Sequence, residues 1–468
     1  MNDIDPLPDS NRRNFLKTTS LATLMTMMGG VELRADSATN ATPDAPALTK
    51  QPPPPTVNFG VIGLNRWGQE ILHELSIMEV SGTNFAPVVA ICDTYKHALR
   101  KAGEDYAPNA KHYEDYKQLL ADPNVEAVVV ATPTGTHREI ALAALAAGKH
   151  VYCEAPLANS IDDAKAIVKA ARDAMKLVFQ AGLQERSHPQ RNFLIPYIRG
   201  GMLGTDVIAK AQWHQFDSWR QSAPTPEREE ALNWRLSKQS SIGLLGEAGV
   251  HLIDVASWFL RHRPRAVTGF SSLVFYNDGR DVPDTVQAVF EFPKGVKYML
   301  DCTLCTSFDD VYELYYGTDS TVMCRDSKAW QFKEAGSPLG GWEVYARKDK
   351  FYKESGIMLI ANGSHQTALL GDAATTKPYD NTPLYYSLQS FAKNVGSTRQ
   401  AVKDFIDLYG ESDTQALQDS INKLQTSKFW EPAATWQDGY EATVMAIKAN
   451  EAAVNNERIT LEKEMFEI

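Results

Sequence analysis

The sequence predicts an α/β protein with two folded parts: an N-terminal doubly wound parallel sheet, and a C-terminal α/β domain with a large open, mainly antiparallel sheet. Three observations support this fold class. Short apolar runs alternate with helical patterns over residues 57–182, as in a parallel sheet wound with helices. A glycine-containing turn follows the first apolar run. Beyond residue 183, strand-like runs at 207–216, 266–275, 285–292 and 296–306 include adjacent hairpins.

Composition limits the classes of function. The chain has 468 residues, of which 43% are hydrophobic and 22% charged, so two or three soluble domains are expected. A net charge of -11 disfavours nucleic acid and anionic membranes as partners. Cys302 and Cys305 form a C-x-x-C within a strand-like run, where their side chains would point to opposite faces. We expect no metal site.

The first 56 residues indicate an export signal and a tether. Arg12 and Arg13, followed by Asn-Phe-Leu-Lys, resemble a twin-arginine motif, and the modestly apolar stretch 21–31 is too short to span a bilayer. Residues 1–38 are therefore interpreted as the signal peptide. Residues 39–56, rich in Ala, Thr and Pro, are interpreted as an extended linker. This predicts a periplasmic protein, a transient contact with the Tat translocase, and no stable membrane anchor.

The turn after the first strand predicts a dinucleotide site. Gly63 allows a tight turn, and Gly68 allows the following helix to pack close to the sheet, as in the Rossmann fold. The helix N-terminus then offers free N–H groups to a pyrophosphate. Asn65 replaces the middle glycine, and asparagine tolerates the left-handed conformation better than most residues. Arg66 and Trp67 complete the turn and are expected to line the cofactor.

Later strand ends supply further candidate cofactor contacts. Asp93 ends the second strand, where a carboxylate binds ribose hydroxyls and favours NAD over NADP. The longer than usual gap between Gly63 and Asp93 is attributed to a looped insertion at 81–84. Two further strand ends at this edge contribute the remaining candidates: Thr132, Pro133, His137 and Glu154.

Together these motifs resemble the glucose–fructose oxidoreductase/inositol dehydrogenase (Gfo/Idh/MocA) family. The resemblance covers the first domain, continues at residues 246–254, and ends in a C-terminal helix at 438–451. It implies bound NAD(P), hydride transfer to or from a sugar or cyclitol hydroxyl, and a homodimer or tetramer formed through the second sheet. It also implies a substrate and oligomerisation domain at 183–435, and a segment at 436–468 that packs back on the first domain. The family's usual Glu-Lys-Pro is Glu-Ala-Pro here, with Ala155 in place of the lysine.

A histidine in the second domain is the candidate base. Glu247 and His251 lie four positions apart on a helix predicted at 246–260, and would share one face. A carboxylate-held histidine suits a general base, whereas a structural residue at a helix start is an equally good interpretation of the spacing alone. The resemblance favours the catalytic role. Lys238, Arg235 and Tyr152 are the candidates to replace the missing lysine.

Candidate substrate contacts surround that histidine. Trp234 could stack on a sugar ring beside Arg235, and Arg186 and His188 follow the fifth strand near the sheet's carboxyl edge. For Trp234 and Arg235, packing at the rim of a loop is the alternative interpretation.

Three functions remain open at this point. The first is an exported NAD-dependent oxidoreductase that acts on a ring hydroxyl of a sugar or glycoside. The second is a redox-neutral, NAD-dependent glycoside hydrolase or lyase that works through oxidation, elimination, addition and reduction. The third is a non-catalytic NAD- or sugar-binding module, which the lost lysine permits.

Overall fold

The structure is a computed structural model, and it describes residues 56–80, 85–325, 327–334, 336–337, 348–351, 354–359, 379 and 381–468. The predicted signal peptide, nearly all of the predicted linker and the predicted insertion at 81–84 lie outside the described residues and stay predictions. No helix in the described part of the chain is both long and apolar enough to cross a membrane.

The first domain is a six-stranded parallel sheet with strand order β3-β2-β1-β4-β5-β6. Its order reverses between β1 and β4, the position where open α/β sheets bind ligands. The strands are β1 (Phe59–Ile62), β2 (Val88–Cys92), β3 (Lys111–Tyr113), β4 (Ala127–Val130), β5 (His150–Cys153) and β6 (Phe179–Ala181). The helices are α1 (Arg66–Val80), α2 (Lys96–Tyr106), α3 (Tyr116–Ala121), α4 (His137–Ala146) and α5 (Ile161–Asp173).

The sequence explains this sheet directly. All four residues of β1, β4 and β5 are buried, because helices cover both faces and a continuous apolar run has no solvent side. Ser160 caps the N-terminus of helix α5, and its hydroxyl accepts the Asp163 N–H at 3.1 Å. Asp162 and Asp163 lie in the first turn of this helix, where negative charge is stabilised.

The second domain has a ten-stranded sheet, which confirms the predicted fold class. Its order is β14-β15-β13-β12-β11-β7-β10-β9-β8-β16, and among these described strands only β7 and β10 pair in parallel. The first six strands are β7 (Asp206–His214), β8 (Ala266–Ser272), β9 (Thr285–Glu291), β10 (Lys297–Thr303), β11 (Val311–Gly317) and β12 (Ser320–Arg325). The others are β13 (Lys328–Lys333), β14 (Lys348–Phe351), β15 (Glu354–Leu359) and β16 (Arg458–Thr460).

Helices α6 (Pro189–Tyr197) and α7 (Pro226–Leu232) precede and follow β7 in the sequence. Three helices pack on one face of this sheet: α8 (Gly243–Glu247), α9 (Gly249–Leu260) and α12 (Trp436–Asn455). Helix α10 (Pro383–Tyr409) packs instead in the core of the first domain, and α11 (Thr414–Gln425) packs on α10. Helix α12 crosses both domains. Its Gly439 leaves no room for a Cβ, which would lie 2.6 Å from Ala181 of β6, and Gly269 of β8 is equally close to Ala453 at 2.8 Å.

The opposite face of the second sheet carries a separate apolar cluster. Met323 and Trp330 are buried there against three partly buried neighbours: Tyr312, Leu314 and Phe332. The cluster is distinct from the main core.

Candidate active site at the domain boundary

The turn between β1 and α1 has the geometry of a phosphate-binding turn. Gly63 has φ +93°, and its N–H donates to the Cys92 carbonyl at 2.9 Å. A Cβ on Gly68 would lie 1.9 Å from the Gly63 carbonyl oxygen. Any side chain at Gly68 would therefore push α1 away from the turn, which explains both glycines by close packing.

Asn65 occupies the middle position for a different reason than we expected. It is absent from the described non-glycine residues with positive φ, so tolerance of the left-handed conformation is not needed there. Its side chain instead accepts a hydrogen bond from Arg228 Nη2 at 3.1 Å. Arg66, next in the turn, pairs with Asp217 at 3.0 Å and is largely exposed.

Asp93 lies buried beside this turn. One carboxylate oxygen accepts the Leu64 N–H at 2.8 Å, and the other accepts the Tyr95 N–H at 2.8 Å. These two bonds fix the carboxylate between the turn and the start of α2. A carboxylate has about four acceptor positions, so Asp93 retains capacity for ribose hydroxyls.

His137 holds two loops together. Its Nε2 lies 2.9 Å from the Thr132 carbonyl and its Nδ1 lies 3.1 Å from the Pro156 carbonyl. The ring is 2% exposed, and burial lowers its pKa. His137 thus ties the end of β4 to the end of β5, and Thr132 and Pro133 form the loop that it orients. The structure gives His137 a positioning role instead of the direct cofactor contact that we expected.

Glu154, at the end of β5, is the most perturbed carboxyl of the first domain. Burial raises its pKa to about 8, and the indole N–H of Trp67 donates to it. One of its oxygens is buried without a hydrogen-bond partner among the described residues. Gly182 packs against it so closely that a Cβ would lie 2.6 Å from Glu154 Oε2. An unsatisfied buried carboxyl at this edge is a feature of ligand sites.

Arg235 and Glu247 face Glu154 from the second domain. Arg235 Nε lies 3.9 Å from Glu247 Oε2, and its charge also acts on Glu154. The Glu247 side chain is 2% exposed and accepts from Thr134 at 3.1 Å and from Ser241 at 3.3 Å. Burial raises the pKa of Glu247. Thr134 was missed from the sequence, although it belongs to the same loop as Thr132.

The predicted helix that places Glu247 and His251 on one face is wrong. Helix α8 ends at Glu247 and α9 starts at Gly249, with Ala248 between them at φ -118°. Glu247 turns toward Arg235. The carboxylate that acts on His251 belongs to Glu185, a residue that was not selected from the sequence, although it precedes Arg186 in the same motif.

Burial and charge leave His251 as a neutral base. Burial lowers its pKa, and the Glu185 carboxylate offsets only part of this effect. Its Nδ1 is buried without a hydrogen-bond partner among the described residues. Burial acts to raise the pKa of Glu185, but the nearby groups together lower it, chiefly Arg191, whose Nε donates to Glu185 at 2.7 Å. Glu185 therefore carries its charge beside His251.

The structure argues against Arg186 as a substrate contact. Its guanidinium is bidentate to Asp254 at 2.7–3.1 Å and pairs with Asp438 at 2.8 Å. The guanidinium also lies 5.1 Å over the Trp258 ring. With these contacts made, Arg186 joins the second domain to α12 and has little capacity for a ligand.

His188 is buried too deeply for the open substrate contact that we expected. It is 1% exposed, and Tyr379 packs edge-on at 4.8 Å. Neither ring nitrogen has a hydrogen-bond partner among the described residues, and burial lowers its pKa to about 4. His188 therefore remains neutral behind the site.

Of the three candidates to replace the missing lysine, only Arg235 is placed beside the carboxyls. Tyr152 lies in the core, with its hydroxyl 3.1 Å from Ser387. Lys238 is exposed, and its backbone N–H donates to Asp281 at 2.8 Å. Trp234 is 8% exposed and has the Arg235 guanidinium 4.4 Å over its ring, which leaves little of it for a sugar. Trp219, half-buried and 5.8 Å from Arg235, is the more accessible aromatic and was missed.

Two family models match the chain. The model of the oxidoreductase family with an NAD-binding Rossmann fold, GFO_IDH_MocA, matches residues 57–182. The model of the GFO/IDH/MocA C-terminal domain matches residues 197–322. The two matches together cover more than half of the chain. The chain belongs to the Gfo/Idh/MocA oxidoreductase family.

Relatives in this Gfo/Idh/MocA family include named dehydrogenases. Inositol 2-dehydrogenase of Salmonella typhimurium is 29% identical over 250 residues, which is 53% of this chain and 67% of that protein. Levoglucosan dehydrogenase of Pseudarthrobacter phenanthrenivorans is 29% identical over 232 residues, which is 45% of this chain and 57% of that protein. Inositol 2-dehydrogenase of Agrobacterium fabrum is 37% identical over 131 residues, which is 28% of this chain and 38% of that protein. The sequence similarity to these relatives thus covers only part of each chain.

Solved structures share the fold over a longer stretch. An oxidoreductase domain protein from Kribbella flavida matches 87% of this chain and 100% of its own, with a TM-score of 0.66 and 18% identity. The structure of levoglucosan dehydrogenase in complex with NADH matches 87% of this chain and 99% of its own, with a TM-score of 0.64 and 19% identity. At these identities the likeness shows the fold alone.

The Gfo/Idh/MocA cofactor NAD fits the residues present. The turn from Gly63 to Gly68 packs too closely for a side chain at either glycine, as in dinucleotide-binding turns, and Asp93 retains acceptor positions for ribose. The unsatisfied oxygen of Glu154 lies at the same sheet edge. Within the part of the chain that the structure describes, no group of three His, Cys, Asp or Glu side chains could hold a metal ion.

Proposed function

We propose that this protein is an exported NAD-dependent oxidoreductase that oxidises a ring hydroxyl of a cyclic sugar or polyol. One observation carries the proposal: Glu154, at the sheet edge of the cofactor turn, and His251, within electrostatic reach of Glu185 just after the last strand of the first domain, both have buried polar atoms without partners among the described residues. A ligand that hydrogen-bonds to such groups would stabilise them, because burial without a hydrogen bond costs free energy.

His251 is the proposed general base. Because burial lowers its pKa, the imidazole is neutral and can accept the proton of a substrate hydroxyl. The Glu185 carboxylate, whose lowered pKa keeps it ionised, stabilises the imidazolium that results. Glu185 is thus a positioning residue for His251.

Arg235 is proposed to supply the positive charge that the family places at the lysine position, which is Ala155 here. It lies 3.9 Å from Glu247 and within electrostatic reach of Glu154. A guanidinium cannot donate its proton to solvent at neutral pH, so Arg235 would stabilise a developing alkoxide by charge alone. NAD, when bound, supplies the acceptor for the hydride of the oxidised carbon.

The named relatives support a cyclic, uncharged, hydroxyl-rich substrate. Those relatives are inositol and levoglucosan dehydrogenases, and both names describe rings with several hydroxyl groups. The site residues Arg235, Glu247, Thr134 and Ser241 offer donors and acceptors suited to hydroxyl groups.

A substrate panel with product analysis tests the function. The purified protein is mixed with NAD and with inositols, levoglucosan, free sugars and aryl glycosides, and formation of reduced nicotinamide is followed by absorbance. The proposal expects reduction by at least one ring polyol, with the ketone as product. Release of the aryl group without net reduction would favour the redox-neutral hydrolase, and nucleotide binding without turnover on any compound would favour the binding module.

Export and assembly are two further proposals. The motif Arg12-Arg13 with its apolar stretch supports transport through the twin-arginine pathway. Replacing both arginines with lysine should abolish periplasmic accumulation, whereas replacing Lys17 should have a smaller effect. The match to the family's C-terminal domain supports a homo-oligomer formed through the ten-stranded sheet, for which light scattering should give a dimer or tetramer mass. A monomer mass at micromolar concentration would contradict it.

A further inference from the structure

A segment of the second domain reaches the cofactor turn of the first. It runs over residues 215–233, between β7 and the short helical turn at Trp234. Its Asp217 pairs with Arg66 at 3.0 Å, and its Arg228 donates to Asn65 at 3.1 Å. The Arg228 guanidinium also lies 4.4 Å over the ring of Tyr95. The partners are two residues of the phosphate turn and the tyrosine that follows Asp93.

The segment is fixed at its base. Gln221 N–H donates to Asn233 Oδ1 at 2.8 Å, and Asn233 Nδ2 donates back to the Gln221 carbonyl at 2.8 Å. Arg280, almost fully buried, donates to the Ser218 carbonyl at 2.6 Å. These bonds close the segment into a loop held on the second domain, so Arg228 is presented from an ordered support.

Arg228 is only partly satisfied by these contacts. A guanidinium carries five N–H donors, yet Nε is buried without a hydrogen-bond partner among the described residues. Arg228 is half-buried, whereas Glu227 and Glu230 on the same short helix are exposed. Neither glutamate pairs with it among the ion pairs of the described residues. A guanidinium beside a phosphate turn, without a paired carboxylate among the described ion pairs, is suited to bind an anion there.

We propose that Arg228 binds the pyrophosphate of NAD and closes the second domain over the cofactor. The inference rests on the proposed NAD-dependent function. The planar fork of arginine matches phosphate oxygens in a bidentate manner, and Asn65 Oδ1 fixes one side of the fork. Because the residue belongs to the second domain, release of the dinucleotide requires this contact between domains to break, so Arg228 retains the cofactor as well as binding it.

The test compares Arg228→Gln with Arg100→Gln, a matched loss of charge at an exposed position of α2. Calorimetry on the full chain measures binding of NAD, ADP, adenosine and NADP. We expect Arg228→Gln to weaken the binding of NAD and of ADP by the same factor, roughly ten- to a hundredfold, as for a lost charged hydrogen bond. Adenosine should be unaffected. Arg100→Gln should bind all four ligands like the wild type.

Each alternative outcome overturns the proposal in a recognisable way. Equal weakening of adenosine would mean that Arg228 packs on adenine through Tyr95. An effect confined to NADP would assign the residue to a 2′-phosphate. NAD binding unchanged in Arg228→Gln would remove the role altogether. Arg228→Lys, which keeps the charge but not the fork, should recover only part of the ADP affinity, whereas a folding defect would be visible in circular dichroism. Failure of the wild type to bind NAD would overturn the proposed function itself.

Discussion

Two groups of buried polar residues lie close together at the domain boundary, and they differ in one respect. Around Arg186 the guanidinium pairs with Asp254 and Asp438 and covers Trp258. Around His251 and Glu154, buried nitrogen and oxygen atoms lack hydrogen-bond partners among the described residues.

This difference distinguishes residues that stabilise the fold, which we call the supporting group, from residues proposed to act on the substrate or cofactor. A buried charge with all its partners contributes to the rigidity of the fold and is costly to break. A buried polar group without partners destabilises the free protein, and where it lines a site a ligand can satisfy it. Substitutions in the first group should therefore lower stability, and substitutions in the second should change activity or the pH dependence of stability.

The largest effect on stability is expected from Arg186→Met. It leaves Asp254, 2% exposed, and Asp438 without their cation, which should cost roughly 3–5 kcal/mol. Chemical denaturation followed by circular dichroism measures the shift in midpoint. Arg172→Met, at an arginine that is 45% exposed and pairs with Asp173, is the control and should change stability by less than about 1 kcal/mol. Equal shifts for the two variants would remove the distinction.

His251→Asn should lower activity and leave stability nearly unchanged. Loss of a general base should reduce the rate of polyol oxidation roughly 10²- to 10⁴-fold, with little change in stability, because His251 Nδ1 has no partner to lose among the described residues. In the wild type, the rate should fall on the acid side as the imidazole is protonated. Since burial lowers the pKa of His251, this fall should lie below the ordinary range of histidine. An unchanged rate in the variant would exclude His251 as the base.

Glu154→Gln should alter how stability depends on pH. Burial raises the pKa of Glu154 from 4.5 to about 8, so in that interval the folded protein binds a proton that the unfolded chain has lost. Stability without NAD should fall as pH rises through this interval, by up to about 1.4 kcal/mol per pH unit from this group. Burial also raises the pKa of Glu313 to about 7. Since Glu313 is present in both proteins, its contribution cancels when their stability profiles are compared. Denaturation midpoints at several pH values should show a flatter profile for the variant, and parallel profiles would contradict the assignment.

The smallest effect is expected from Arg66→Ala. The pair with Asp217 joins the two domains, but the side chains are 79% and 39% exposed. Such a pair contributes at most about 1 kcal/mol and is screened by salt. The melting temperature should therefore change little, and any difference should disappear at high salt. A large, salt-independent fall in melting temperature would contradict this and would mean that Arg66 stabilises the fold as Arg186 does.

The sequence predicted those parts of the site that local geometry determines. Gly63 and Gly68 could be assigned because the turn depends on a few adjacent residues, and Asp93 because it ends a buried strand. Four of the ten described strands of the second sheet, β7 to β10, were also predicted, each one to three residues too long at its C-terminal end, since pattern alone does not determine where pairing stops.

Contacts across the chain could not be predicted in this way. Arg186 was expected at the substrate, but Asp254 and Asp438, 68 and 252 positions further on, bind its guanidinium. Helical spacing placed Glu247 with His251, but the break at Ala248 gives that role to Glu185. In both cases the identity of the partner depends on tertiary packing, which periodicity does not report.

The most direct test of this account is a single-turnover measurement of NAD reduction by a ring polyol, with wild-type protein and His251→Asn. The account predicts that both proteins bind NAD with similar affinity, that the wild type reduces it, and that the variant does so at least about a hundredfold more slowly. Equal rates of reduction in the two proteins, or failure of the wild type to bind NAD, would contradict it.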